Sequence, residues 1–112
     1  MDKKLILEIE KFMVDNQNKI NHIIKIHSGM STNKRNFDRH FTTYITMKFN
    51  LEDLGWRFSG ARIFFDGSES LYEISMDRII EFTKIDNKYI FLEKYSQEIF
   101  RKSTIEFQGI VK

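Results

Sequence analysis

The sequence predicts an α+β domain, with a long N-terminal helix followed by a strongly bent five-stranded antiparallel sheet or small partly open barrel. Three observations point there. Apolar residues recur at helical spacing in the first part of the chain. They alternate with polar residues from about residue 40 to residue 110. Turn-forming residues cut that second part into four or five short runs.

The helix is expected over residues 3–27, where Leu5, Ile9, Phe12, Met13, Ile20, Ile23 and Ile24 share one seam. Asp2 suits the N-cap, and Lys25 and His27 suit the negative end of the helix dipole. Gly29 stands where a left-handed C-terminal residue is commonly required, and Asp15 and Lys19 add an i,i+4 pair. A competing reading breaks the helix at Asp15, Asn16, Gln17 and Asn18 and starts a strand over residues 20–26, whose isoleucines are β-branched. The seam continues in phase across the Asn/Gln run and favours the helix. Residues 28–38 have no period, are rich in turn formers, and read as a loop.

From residue 40 the period becomes two. Phe41, Thr43, Ile45, Met47 and Phe49 are expected on one face of a first strand, with Thr42, Tyr44, Thr46 and Lys48 on the other. Residues 50–55 read as one helical turn, capped by Asn50 and ended by Gly55. A second strand is expected over 56–65, and Asp66, Gly67 and Ser68 turn the chain into a third over 71–85. That third run is long, so a bend or bulge is expected near Ser75, Met76 and Asp77. Asp86, Asn87 and Lys88 turn into a fourth strand, where Tyr89, Phe91 and Glu93 oppose Ile90 and Leu92. Residues 96–102 read as a short helix and residues 104–110 as the last strand. No repeat, low-complexity tract or linker interrupts the chain, which reads as a single domain over residues 1–112.

A chain of 112 residues can bury a core without staples, and with 0 Cys it has no disulfide to use. The missing cysteines favour a reducing, cytoplasmic setting. Glu8, Glu10 and Lys11 interrupt the apolar start before it reaches the length of an export signal. No run approaches the ~20 apolar residues of a membrane span, so no membrane partner is expected. With 11 Phe, 0 Pro, a single alanine and many Ile, Lys and Asn, the composition favours A/T-rich codons and points to a low-G+C bacterium or one of its mobile elements.

Net charge is +2, too little to imply a polyanion by itself. Residues 1–40 nevertheless carry eight Lys/Arg against five Asp/Glu, and all three histidines. Within them Lys34, Arg35, Phe37, Arg39 and His40 mix cations with an aromatic ring, the combination that neutralises phosphates and stacks on unpaired bases. Candidate protein-contact residues are Trp56, beside Gly55, and Asp77 and Arg78, which interrupt an apolar strand-like run. His22 and His27 lie five apart, which suits neither a helical nor a strand metal pair, and Asp66, Glu69 and Glu73 sit in or near a turn. No nucleophile elbow, phosphate-binding glycine loop or paired-carboxylate motif occurs, so no catalytic, cofactor or metal site is expected. The leading expectation is a non-enzymatic protein that binds another protein through a sheet edge or an uncovered part of its helix, with a second copy of the chain as a further candidate partner. The alternative is a single-stranded nucleic-acid binder that uses Lys34, Arg35, Phe37, Arg39 and His40.

Overall fold

The computed structural model describes residues 2–32, 41–57 and 61–110. One helix, α1 (Lys3–Asp15), is followed by eight strands: β1 (His22–Ser31), β2 (Phe41–Asn50), β3 (Asp53–Arg57), β4 (Arg62–Asp66), β5 (Leu71–Ser75), β6 (Ile79–Ile85), β7 (Lys88–Lys94) and β8 (Phe100–Ile110). The strands form two antiparallel sheets, ordered β2-β1-β8-β7-β6 and β3-β4-β5, which do not join into one closed barrel. The α+β class and the N-terminal helix hold. The single five-stranded meander is replaced by two facing sheets.

Helix α1 begins as its sequence dictates, with the Asp2 carboxylate accepting the Lys4 backbone N–H at 2.8 Å. It ends at Asp15 rather than running to residue 27, which corrects the longer helix. Asn16 closes it by sending both its backbone N–H and its side-chain amide to the Phe12 carbonyl. Gln17–Lys19 make one 3-10 turn, Asn21 takes the left-handed φ of 73° that Asn tolerates, and the chain is extended from His22. The strand reading of the isoleucine cluster therefore holds. Ile24 and Ile26 are fully buried at period two, as stiff β-branched side chains prefer. Gly29 is a buried strand residue opposite Tyr44, and residues 28–31 belong to β1 instead of a loop.

Further along, three more expectations change. Residues 50–55 make no helical turn, since β3 begins at Asp53. Gly55 serves as a place for the Phe64 ring, whose Cζ would lie 2.7 Å from a Cβ at that position. The single strand over 56–65 is instead the pair β3 and β4, with Trp56 opposite Ile63. Residues 96–102 are not helical; Ile99 O accepts from Tyr95 N–H at 2.8 Å and so closes a tight β7–β8 connection. The expected bend near residue 76 is present as a 3-10 turn, Met76–Arg78, where the chain passes from the small sheet to the large one. The β6–β7 hairpin is also as expected, with Ile85 opposite Lys88 and Asp86 at φ 56°.

The main core lies between the sheets and under α1. Ile9, Phe12 and Met13 meet Ile24, Ile26, Leu54, Ile63, Phe65, Ile74, Phe91 and Ile105, all buried. Helix α1 packs along β6, its Glu10, Met13 and Val14 lie beside Trp56 of β3, and in the 3-10 turn that follows it the Gln17 side chain donates to Leu54 O at 3.1 Å. The helix therefore bridges an edge strand of each sheet. Among the described residues, no helix is long and apolar enough to cross a membrane.

Candidate functional site

Lys34, Arg35, Phe37, Arg39 and His40 lie outside the described residues. Trp56, Asp77 and Arg78 are described, and the fold brings two of them together. Two adjoining depressions, of 580 and 300 Å³, share Trp56 as a common wall. The larger is lined by Glu10, Met13, Val14 and Gln17 of the helix side, and the smaller adds Ile6, Arg57, Ala61, Arg62, Met76 and Asp77. Ile6, Glu10, Met13, Val14 and Gln17 recur at three- and four-residue steps, so one face of the helix supplies a whole wall. Trp56 shares the inward face of β3 with Leu54, but Leu54 is buried while Trp56 is only half-buried. Val14 is 75% exposed. The result is an apolar channel floored by a tryptophan and two methionines, with Glu10, Arg57, Arg62 and Asp77 along its rim.

Arg78 faces elsewhere. Its guanidinium lies 4.6 Å from the Tyr95 ring centroid and donates to Tyr95 O at 3.4 Å. Behind Tyr95 is a buried polar cluster that joins the two sheets. The fully buried Glu93 carboxylate accepts from Arg101 Nε at 2.7 Å, from the Tyr95 hydroxyl at 2.8 Å and from Ser75 N–H at 3.0 Å. Arg101 also donates to Glu73 O at 2.6 Å. Next to it the Tyr72 hydroxyl donates to Ser28 Oγ at 2.8 Å and accepts from Ser103. Every partner in this cluster is internal, and none of its side chains lines the Trp56 channel.

Burial, with the adjacent Glu93 carboxylate, pushes the Tyr95 hydroxyl up to about 12. Ionisation is therefore harder in the folded chain than in the unfolded one, where the value is ordinary. The contribution of Tyr95 is complete below pH ~10 and is lost as pH rises toward 12. Melting temperature should fall more steeply between pH 9.5 and 11.5 in the wild type than in Tyr95→Phe; parallel slopes would count against the buried environment of this hydroxyl.

A second surface is the outer face of the five-stranded sheet, turned away from α1 and the small sheet. Register places Lys48, Lys25, Glu106 and Lys88 in one row across β2, β1, β8 and β7. The next row holds Thr46, His27, Thr104 and Ile90, and the next Tyr44, Gly29, Lys102 and Leu92. Because Gly29 leaves space opposite it, Tyr44 reaches diagonally to His27. Their rings stack 6.0 Å apart at 24°, and the Tyr44 hydroxyl lies 2.7 Å from His27 Nδ1, which Thr46 Oγ1 also approaches at 3.0 Å. Burial, then Lys25 and Lys88, hold His27 below the usual imidazole value against the pull of Glu106. Phe64, a half-buried aromatic of the small sheet, lies beneath Arg57 and takes no part. Sequence reasoning placed His27 at a helix end and so missed this pairing. Among the described residues, no group of three His, Cys, Asp or Glu side chains is placed to hold a metal ion.

No family model matches this chain. No curated protein matches it. Among solved structures it is similar to the crystal structure of the Bacillus subtilis YojF protein, with a TM-score of 0.65 over 92% of this chain and 93% of that one. Identity between the two is 12%, so the likeness establishes a shared fold and nothing about chemistry.

Proposed function

We propose that this chain is a non-enzymatic binding protein that holds an apolar segment of another protein in the channel beside Trp56. The observation that carries the reading is the channel itself, where the one tryptophan of the sequence, two methionines and an exposed valine share a wall with charged rim residues. Aromatic anchors in apolar pockets dominate protein interfaces, and methionine adapts its shape to an incoming side chain. Asp77 joins the rim, while Arg78 is engaged by Tyr95, so of the three candidate protein-contact residues the surface comprises Trp56 and Asp77. The inward-directed Glu93 cluster supports a structural role for the buried charges rather than a catalytic one. A chain without cysteine is consistent with action in the cytoplasm, and its A/T-biased composition with an accessory protein of a low-G+C bacterium.

Val14→Glu and Asp77→Lys each place a wrong charge at the channel without disturbing the core. Each should weaken capture of the partner about tenfold, equivalent to ~1.4 kcal/mol, with melting temperature unchanged within ~2 °C. Because Trp56 is the sole tryptophan, its emission should shift on titration with the isolated partner. Unaltered capture by both variants, or an emission blind to the partner, would sink the proposal. If sedimentation shows that the captured species is a second copy of the chain, the same channel is a homodimer interface.

A further inference from the structure

We infer that the outer face of the five-stranded sheet binds single-stranded nucleic acid, with a base stacked on the Tyr44–His27 pair and phosphates held by Lys25, Lys48 and Lys88. This surface is independent of the Trp56 channel and lies on the other sheet. Three features converge on it.

The first is charge. The whole chain carries only +2, yet among the described residues the register collects five lysines on this face, at 25, 48, 88, 94 and 102, against two glutamates, at 81 and 106. The basic surplus is thus concentrated on the face opposite the main core; Leu92 and Phe100 are buried at one end of that face, and its open part is the row that carries Lys48, Lys25 and Lys88, which an anionic partner complements. The row from Lys48 to Lys88 crosses three strand spacings, about 14 Å at ~4.8 Å each, so its cations lie along a track and not at a point.

The second feature is the ring pair. Tyr44 is 52% exposed, large for an aromatic residue in mid-strand, and its orientation is fixed by the hydroxyl contact with His27. A fixed and half-open ring next to lysines gives a stacking surface that costs little to order. The third is shape. Strand backbones make an open platform, which suits splayed bases, whereas a duplex hides its base faces in the stack. Single strands are therefore favoured over duplexes, and over an acidic protein that would have no use for the ring pair.

The test is fluorescence anisotropy with a labelled single-stranded 12-mer, as DNA and as RNA, and the matching duplex, over a range of salt. Single strands should bind best, with log affinity falling against log salt at a slope near −2, as expected for about three phosphate contacts at ~0.7 each. Lys25→Glu with Lys48→Glu should cut affinity more than tenfold and flatten that slope. Tyr44→Ala should lower affinity at least fivefold at unchanged slope, and Tyr44→Phe should restore most of it. Val14→Glu, in the channel, should leave binding as it was, so failure of either surface is distinguishable from failure of the other. Absence of binding at low salt, equal binding of the duplex, or indifference to both the lysine and the Tyr44 variants would overturn the inference. Thermal melting of each variant separates lost binding from lost fold.

Discussion

Replacing Arg101 by alanine should destabilise the protein by about 3–5 kcal/mol, a third or more of the stability of an ordinary domain, and lower its melting temperature by roughly 15 °C or more. Glu93 is fully buried, and Arg101 is the cation that faces it, at 2.7 Å. Without the guanidinium the carboxylate keeps only the Tyr95 hydroxyl and the Ser75 N–H, both neutral donors. Glu73 O loses its donor as well. The damage would fall at the joint between the sheets, because Ser75 and Glu73 belong to β5 while Glu93 and Arg101 belong to β7 and β8. Arg101→Lys should also be poorly tolerated, since an ammonium cannot serve Glu93 and Glu73 with the spread of the guanidinium fork. The desolvation argument has a clear signature. Removing both charges, as Glu93→Met with Arg101→Leu, should recover more than half of the single-variant loss, because no unpaired charge is then left inside. Chemical denaturation of the three proteins measures this. An Arg101→Ala protein within 1 kcal/mol of the wild type, or a double variant no better than the single, would show that the pair does not have the energetic role assigned to it.

That cluster also shows how far alternation reaches. Tyr89, Phe91 and Glu93 share one face of a strand by simple alternation, so a core-facing Phe91 already implies a buried Glu93 in need of a cation. Alternation cannot supply which cation, because Arg101 arrives from the next strand. The same division runs through the fold. Local signals suffice for Asp2 as a cap, for the Asp86 turn and for the break near Met76, where an Asp-Arg pair interrupts apolar residues. Ile20, Ile23, Ile24 and Ile26 satisfy a helical period and a strand period at once, and the tie is broken by pairing with β2 and β8, which are distant in sequence. With β1 read as helix, His27 cannot be seen opposite Thr46, nor Tyr44 above it. Trp56 and Asp77 are visible as unusual residues, but 21 positions separate them, and only the pairing of β3 with β4 and of β4 with β5 makes them neighbours.

Phe12→Ala should cost about 3–5 kcal/mol, comparable to the loss of Arg101 but by a different route. Phe12 is buried at the centre of an aromatic cluster, with ring centroids 4.8 Å from Tyr89, 5.1 Å from Phe91, 5.8 Å from Phe82 and 6.3 Å from Phe65, most of them edge to face. Each such contact adds a modest amount beyond area burial, but the cavity costs more, since rings held by β6 and β7 of one sheet and β4 of the other cannot all collapse into it. Phe12→Leu fills most of that space and should lose less than half as much. Val14→Ala, two residues along the same helix but on its exposed side, should change stability by less than ~0.5 kcal/mol. The effect should be local before it is global. Phe12 anchors α1, and α1 forms one wall of the Trp56 channel, so in Phe12→Ala hydrogen exchange in α1 should accelerate more than in β8, and Trp56 emission should move toward that of the unfolded chain below the melting transition. Uniform acceleration through all elements, or a melting temperature within 5 °C of the wild type, would mean that the helix is held by something other than this ring. If the local loosening occurs, partner capture in the channel should weaken in step with it, while nucleic-acid binding on the outer face, which α1 does not touch, should persist as long as the five-stranded sheet stays folded.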